Sequence, residues 1–291
     1  MSPFIALCLF ITYVVWGTTY LAIRFALTDL PPFLMMGSRF LAAAVLLAPV
    51  VILRKSERPS WRQVRNCALI GGFMLVGGMG MTAVAEQTIS SGATTVMIAS
   101  MPVFATLWTL LAGGRLRAYE LGAIVLGSMG VAVLLHGAEF QASTLGVLAL
   151  TTAIASWSFG SQLSKRIDMP RGMTAFVLEM AFGGVALVLL SLIVGEAWPT
   201  HIGLHSALAW GYLVVFGSAI AFTAYMALVE RVSTVMATSY VYVNPPIALL
   251  MGAWLADEVV VPQTVGATGI ILAAVVVLTA GATRAARRAS A

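Results

Sequence analysis

Residues 237–250 read ATSYVYVNPPIALL, and the solvent around that stretch decides the fold. It lies in a long apolar run, yet it carries Tyr240, Tyr242, Asn244 and the adjacent Pro245 and Pro246. Proline has no backbone donor and its ring clashes with the preceding helical turn, so two together should break a helix. In a bilayer such a break is tolerated only where neighbouring polar groups or a wet cavity meet the freed carbonyls. Composition settles which solvent applies. Apolar residues fill 60% of the 291 positions and charged residues only 9%, against roughly 45–50% and about 25% in soluble domains. A chain this apolar cannot clothe itself in polar surface, so the fold expected is an all-α integral membrane protein.

The net charge of +5 does not imply nucleic acid. The basic residues fall in short clusters between apolar runs, where nucleic-acid binding needs a basic patch on a folded soluble face. Cys8 and Cys67 both sit inside apolar segments and frame no disulfide. The first apolar segment lacks a basic n-region and a small-residue cleavage site, so it reads as a retained span.

About 20 apolar residues cross a bilayer as a helix. That rule places ten spans, at 4–25, 33–53, 66–86, 92–113, 120–136, 145–164, 173–194, 207–229, 235–255 and 263–281. Alternate connections carry the positive charge: Arg54, Lys55, Arg58, Arg62 and Arg65, then Arg115 and Arg117, then Lys165, Arg166 and Arg171, then Arg231, and Arg284, Arg287 and Arg288 in the tail. The other five connections contain no Lys or Arg. Both termini are therefore expected in the cytoplasm, with Arg24 and Arg39 left inside spans.

Sliding the chain by 144 residues aligns Glu86 with Glu230, Thr94 with Thr238, Pro102 with Pro246 and Gly122 with Gly266. Earlier in each half, an offset of 141 pairs Trp16 with Trp157 and Arg24 with Lys165. Two repeats follow, 1–138 and 139–291 with the basic tail. Five spans is an odd number, so the repeats should be inverted and enclose a central cavity, with substrate near the midplane at interrupted helices. Pro102, Pro245 and Pro246 are the expected helix breaks.

Four stretches carry a family resemblance: VVWGTTYLAIRFALTDLPPFLMMGSRFLAAAVLL (14–47), AEQTISSGATTVMIASMPVF (85–104), SWSFGSQLSKRIDMPRGMTAFVLEM (156–180) and ATSYVYVNPPIALLMGAWLADE (237–258). In this order, across nearly the whole chain, they resemble the EamA family of the drug/metabolite transporter superfamily, and among bacterial members its inner-membrane exporters. The resemblance implies spans one to four and six to nine around the cavity, five and ten at the periphery, and export of amino acids and other small metabolites. It departs from the family after span four, where an acidic residue is usual and this chain has AGGRL; Glu258 holds the matching place after span nine.

Candidate cavity residues follow. Trp16 and Trp157 occupy equivalent places above small or hydroxylated neighbours, with Thr19, Tyr20 and Gln162 close by; helix packing is the alternative reading. Met236, Ser239, Tyr240, Val243 and Asn244 share one helical face. Tyr240, Tyr242 and Asn244 are present only in the second repeat and are candidates for selectivity, while Asn244 alternatively repairs the backbone that the prolines free. Arg39, about a third of the way in from outside, suits a carboxylate. Glu179, a third of the way in from the cytoplasm, suits an amino group or a coupling proton. Local hydrogen-bond networks are the alternative for both. Met79 and Met101 offer an adaptable wall. Glu86 and Glu230 end their spans and read as solvated.

His201 and His205 stand four apart in an outer connection without Cys or acidic partners, so no metal site is expected, and no cofactor. No G-x-x-x-x-G-K-[ST] loop occurs, which excludes ATP drive within this chain. The function expected is secondary export of small metabolites, amino acids foremost, by alternating access in the bacterial inner membrane, driven by a proton motive force or by facilitated efflux. The alternatives are drugs or anionic metabolites such as nucleotide sugars and sugar phosphates, for which Arg39 and Arg24 offer little positive charge. An intramembrane enzyme is more remote, since the spans hold no nucleophile–base or metal arrangement.

Overall fold

The computed structural model describes residues 2–53, 58–113, 117–137, 143–232, 234–237 and 239–290. Arg54, Lys55, Arg115 and Thr238 lie outside that set, as do the side chains of Glu230, Arg287 and Arg288. Among the described residues every regular element is helical. Spans one to eight are Pro3–Ala26, Pro32–Leu53, Trp61–Ala85, Ser91–Trp108, Ala118–Leu135, Thr144–Ser164, Met173–Ile193 and Leu204–Leu228, and span ten is Pro262–Gly281. Span nine is a short turn of helix, Thr234–Ala237, followed by Tyr240–Leu255.

Local signals start these helices. The hydroxyls of Ser2, Ser90 and Ser143 accept from the backbone N–H groups of Ile5, Ala93 and Gly146, meeting donors that a first helical turn leaves unpaired. Ser60 and Gln63 satisfy each other's backbone reciprocally. Span three therefore begins at Trp61, earlier than its apolar run predicts. Arg62 and Arg65 stay exposed there while Asn66 and Cys67 are buried, because long basic side chains keep their heads in water as the stem follows the helix.

Spans five and ten pack mainly on each other, and spans two and seven on each other. Span one packs on eight and nine, as span six packs on three and four; span eight reaches two as three reaches seven. Each pairing recurs when the two halves are exchanged, the pattern an internal two-fold produces. Spans two and seven approach closely, backbone to backbone. A Cβ at Gly37 would meet the backbone of Val188 at 2.9 Å, and one at Gly184 the Gly37 carbonyl at 3.1 Å. Small residues at such crossings let helices associate where lipid supplies no hydrophobic drive.

Span four breaks where expected: helix Ser91–Ile98 ends, and a second begins at Met101 with Pro102 in its first turn. Span nine does not. Its helix Tyr240–Leu255 runs through Pro245 and Pro246, and the discontinuity lies before Tyr240. Proline rings crowd the turn preceding them and leave the Val241 and Tyr242 carbonyls without their helical donors. Asn244 does not meet those carbonyls but ties the start of this helix to span one. In the amide orientation its neighbours require, its nitrogen donates to the Tyr240 carbonyl at 3.1 Å and to the Tyr13 carbonyl of span one at 3.2 Å.

Spans three and eight each widen into π-helix, at Gly72–Gly80 and Leu213–Ile220. The two stretches stand at the offset that pairs Trp16 with Trp157. π-Helical turns leave the ordinary ladder and are frequent at functional sites.

Candidate functional site

Trp16 occupies the meeting point of spans one, eight and nine. Its ring centroid lies 4.7 Å from Tyr240, 5.2 Å from Tyr225 and 6.1 Å from Phe222. Phe222 in turn stacks on Phe176 of span seven at 3.2 Å. The indole N–H of Trp16 donates to the Gly217 carbonyl at 3.3 Å, inside the π-helical stretch of span eight. Trp157 takes the equivalent place in the other half: a Cβ at Gly78, in the π-helix of span three, would lie 2.8 Å from its ring. Only glycine lets the indole settle there.

Tyr20 follows Trp16 by four residues and so shares its helical face. Tyr20, Met79 and Trp157 pack on one core cluster with Phe40, Met180 and Leu213. The Thr19 hydroxyl donates to its own helix at the Val15 carbonyl, 2.7 Å away. Arg39 is 3% exposed. Its Nε donates to Ser218 Oγ at 3.0 Å, and its guanidinium lies 5.1 Å from the Phe40 ring. No carboxylate pairs with it among the described residues.

Other candidates lie elsewhere. Tyr242 turns to span ten, its hydroxyl donating to the Val275 carbonyl at 3.2 Å and bonding Thr279. Glu179 sits by span three, where its backbone carbonyl is 2.7 Å from the position of a Gly71 Cβ, and it is not brought to Arg39. Met101 packs in a separate cluster around Val96 and Met97. Gln162 lies toward the end of span six, its amide 3.5 Å from the Ala105 carbonyl. There it lines a small cavity of about 70 Å³ with Trp108, Phe159 and Arg166. Trp108 and Phe159 also line an open groove of about 450 Å³ between spans three, four and six, which Gln162 does not reach.

The Lys/Arg-free connections hold three carboxylates that cap helices far away in sequence. Glu196 accepts from the N–H groups of Phe33 and Leu34, both at 2.9 Å, at the start of span two. Asp29 accepts from Gly203 N–H at 2.9 Å, at the start of span eight; the Ser206 hydroxyl and that N–H hold its carboxyl below the usual range. Glu258 accepts from Ser91 and Gly92 at 2.9 and 3.1 Å, at the start of span four, and pairs with Arg24 at 3.0 Å. Carboxylates there complement both the unpaired donors and the helix dipole. The acid after span nine is thus a structural tie across repeats.

Glu86 overturns an expectation. It is 4% exposed, and both carboxylate oxygens are buried without a hydrogen-bond partner. The spacing of Leu75, Gly78, Thr82 and Glu86, all buried, follows one helical face into the protein. That periodicity was the available signal, and proximity to the span end masked it. Tyr225, Phe222 and the π-helical stretches had no comparable pattern.

Two matches to the EamA-like transporter family cover residues 3–136 and 144–280. The chain belongs to that family and is a multi-pass membrane transporter built of two repeats. It is 40% identical over 274 residues to the uncharacterized inner membrane transporter YedA of Escherichia coli (strain K12), spanning 94% of this chain and 90% of that one. It is 27% identical to the uncharacterized transporter YoaV of Bacillus subtilis (strain 168), over 83% and 84% of the two chains. Protein PecM of Dickeya dadantii is 26% identical over 90% of this chain and 88% of its own. A crystal structure 21% identical superposes with a TM-score of 0.64 over 96% of this chain and 98% of that one, a shared fold.

Proposed function

We propose that this transporter exports small metabolites, amino acids foremost, from the cytoplasm across the bacterial inner membrane, both termini lying inside. Rocking of the two repeats about the Trp16–Tyr240 region would expose one site to each side in turn. The observation that carries the reading is Arg39, a buried guanidinium that forms no ion pair among the described residues, close to an aromatic wall. A charged group inside a bundle is costly and marks a ligand or a partner, and guanidinium matches carboxylate geometry. An apolar amino-acid side chain would lie on the rings of Trp16 and Tyr240, its carboxylate toward Arg39. The similarity to YedA, an inner membrane transporter, supports the membrane assigned.

Counterflow in proteoliposomes, with a panel of labelled amino acids and with sugar phosphates, tests this. Exchange of at least one amino acid, lost in Arg39→Gln, is expected. Sugar-phosphate flux with no amino-acid exchange would transfer the reading to anionic metabolites.

A further inference from the structure

Glu86 is the one carboxylate among the described residues with both oxygens buried and unbonded. It closes span three, its backbone N–H bonded to the Thr82 carbonyl at 3.0 Å. The charged and titratable groups that act on it come from three other elements: Tyr20 and Arg24 of span one, Arg39 of span two, and Glu258 after span nine. None bonds it. The Arg24 guanidinium is engaged by Glu258 at 3.0 Å, and Arg39 Nε by Ser218. An ionised carboxylate away from water and without a partner is costly, so a group in this position holds either a proton or a cationic ligand.

The geometry points to Glu86 as the proton-exchange site of the transport cavity: it carries a proton while the cavity is without cargo and releases it to accept the cargo's ammonium group. The carboxyl O–H bond breaks, the proton leaves to water on the open side, and the carboxylate oxygens accept ammonium N–H bonds. No electrons are transferred. Arg39 and Glu86, acting on the same region with opposite charge, would then read the two ends of a zwitterion. This inference rests on the amino-acid reading above.

Two measurements on the purified full chain separate the failure of one reading from that of the other. Dicyclohexylcarbodiimide, an apolar reagent for protonated carboxyl groups, is applied at pH 6 without substrate and the adduct mapped by peptide mass spectrometry. An adduct on Glu86 that disappears in Glu86→Gln is expected; a folded wild-type protein unmodified at Glu86 overturns the proposal whatever the substrate is. Proton release into weak buffer is then recorded as the amino acid that exchanges in proteoliposomes is added. About one proton per bound molecule is expected from wild type and none from Glu86→Gln, with affinity lower by about 10–100-fold, the range for a hydrogen bond to a charged group. Equal release and equal affinity in the two proteins overturn the proposal. If no amino acid exchanges in wild type, the functional reading has failed, and the adduct alone decides whether Glu86 is a proton site.

Discussion

Replacing Glu258 with alanine tests whether the connection after span nine holds span four in place. The carboxylate is 5% exposed and accepts two backbone N–H groups of span four. Losing a helix cap costs about 0.5–2 kcal/mol, and each hydrogen bond to a charged acceptor is worth about 1.5–3 kcal/mol. Overlap between these contributions puts the cost at about 2–4 kcal/mol. The Arg24 side chain is 40% exposed, so its ion pair with Glu258 adds at most about 1 kcal/mol after solvent screening. Thermal unfolding of purified protein in detergent should then show Glu258→Ala melting on the order of 5–10 °C below wild type, and Arg24→Ala within about 3 °C of it. Equal losses in the two variants would refute the reasoning, because the ion pair would then outweigh the cap. An unchanged Tm in Glu258→Ala would refute it outright.

Other expectations rest on separate observations. Trp16→Ala removes three ring contacts, each worth about 0.5–1.5 kcal/mol beyond its buried area, and should cut counterflow at least about tenfold. Trp16→Phe, which loses only the bond to Gly217, should stay within about threefold of wild type. Asn244→Ala leaves the Tyr13 and Tyr240 carbonyls without their amide donor and should destabilise by about 0.6–1.7 kcal/mol, read as a small fall in Tm. Asp29 is held below the usual carboxylate range in the folded state by Ser206 and Gly203. Its contribution is therefore complete above about pH 4 and fades as pH falls through the lower folded value. Asp29→Asn should flatten the acid side of a Tm-against-pH profile and leave its slope above pH 6 unaltered.

The spans were legible because each is a local property: some twenty neighbouring residues agree on one solvent. The break before Pro102 was legible for a similar reason, since a missing donor acts within one turn. Pro245 and Pro246 misled because packing against other spans can carry a helix through them, and here the Asn244 amide ties it to a carbonyl of span one, 231 positions away. Tyr242 shows the limit of helical phase. Its neighbour Tyr240 meets Trp16, while a rotation of two residues turns Tyr242 to span ten. Glu86 was misread by depth alone. An acid at a span end is normally wet, and only the faces packed around it reveal otherwise. The caps from Glu196 and Glu258 join segments more than 160 residues apart, a relation that no window of sequence contains.

Arg39 carries the central claim, and ligand chemistry tests it directly. Equilibrium binding of the transported amino acid is compared with that of its decarboxylated amine, in wild type and in Arg39→Gln. If the guanidinium receives the carboxylate, wild type prefers the amino acid at least about tenfold and the variant loses that preference. The same preference in both proteins would contradict the account and move the carboxylate site away from Arg39.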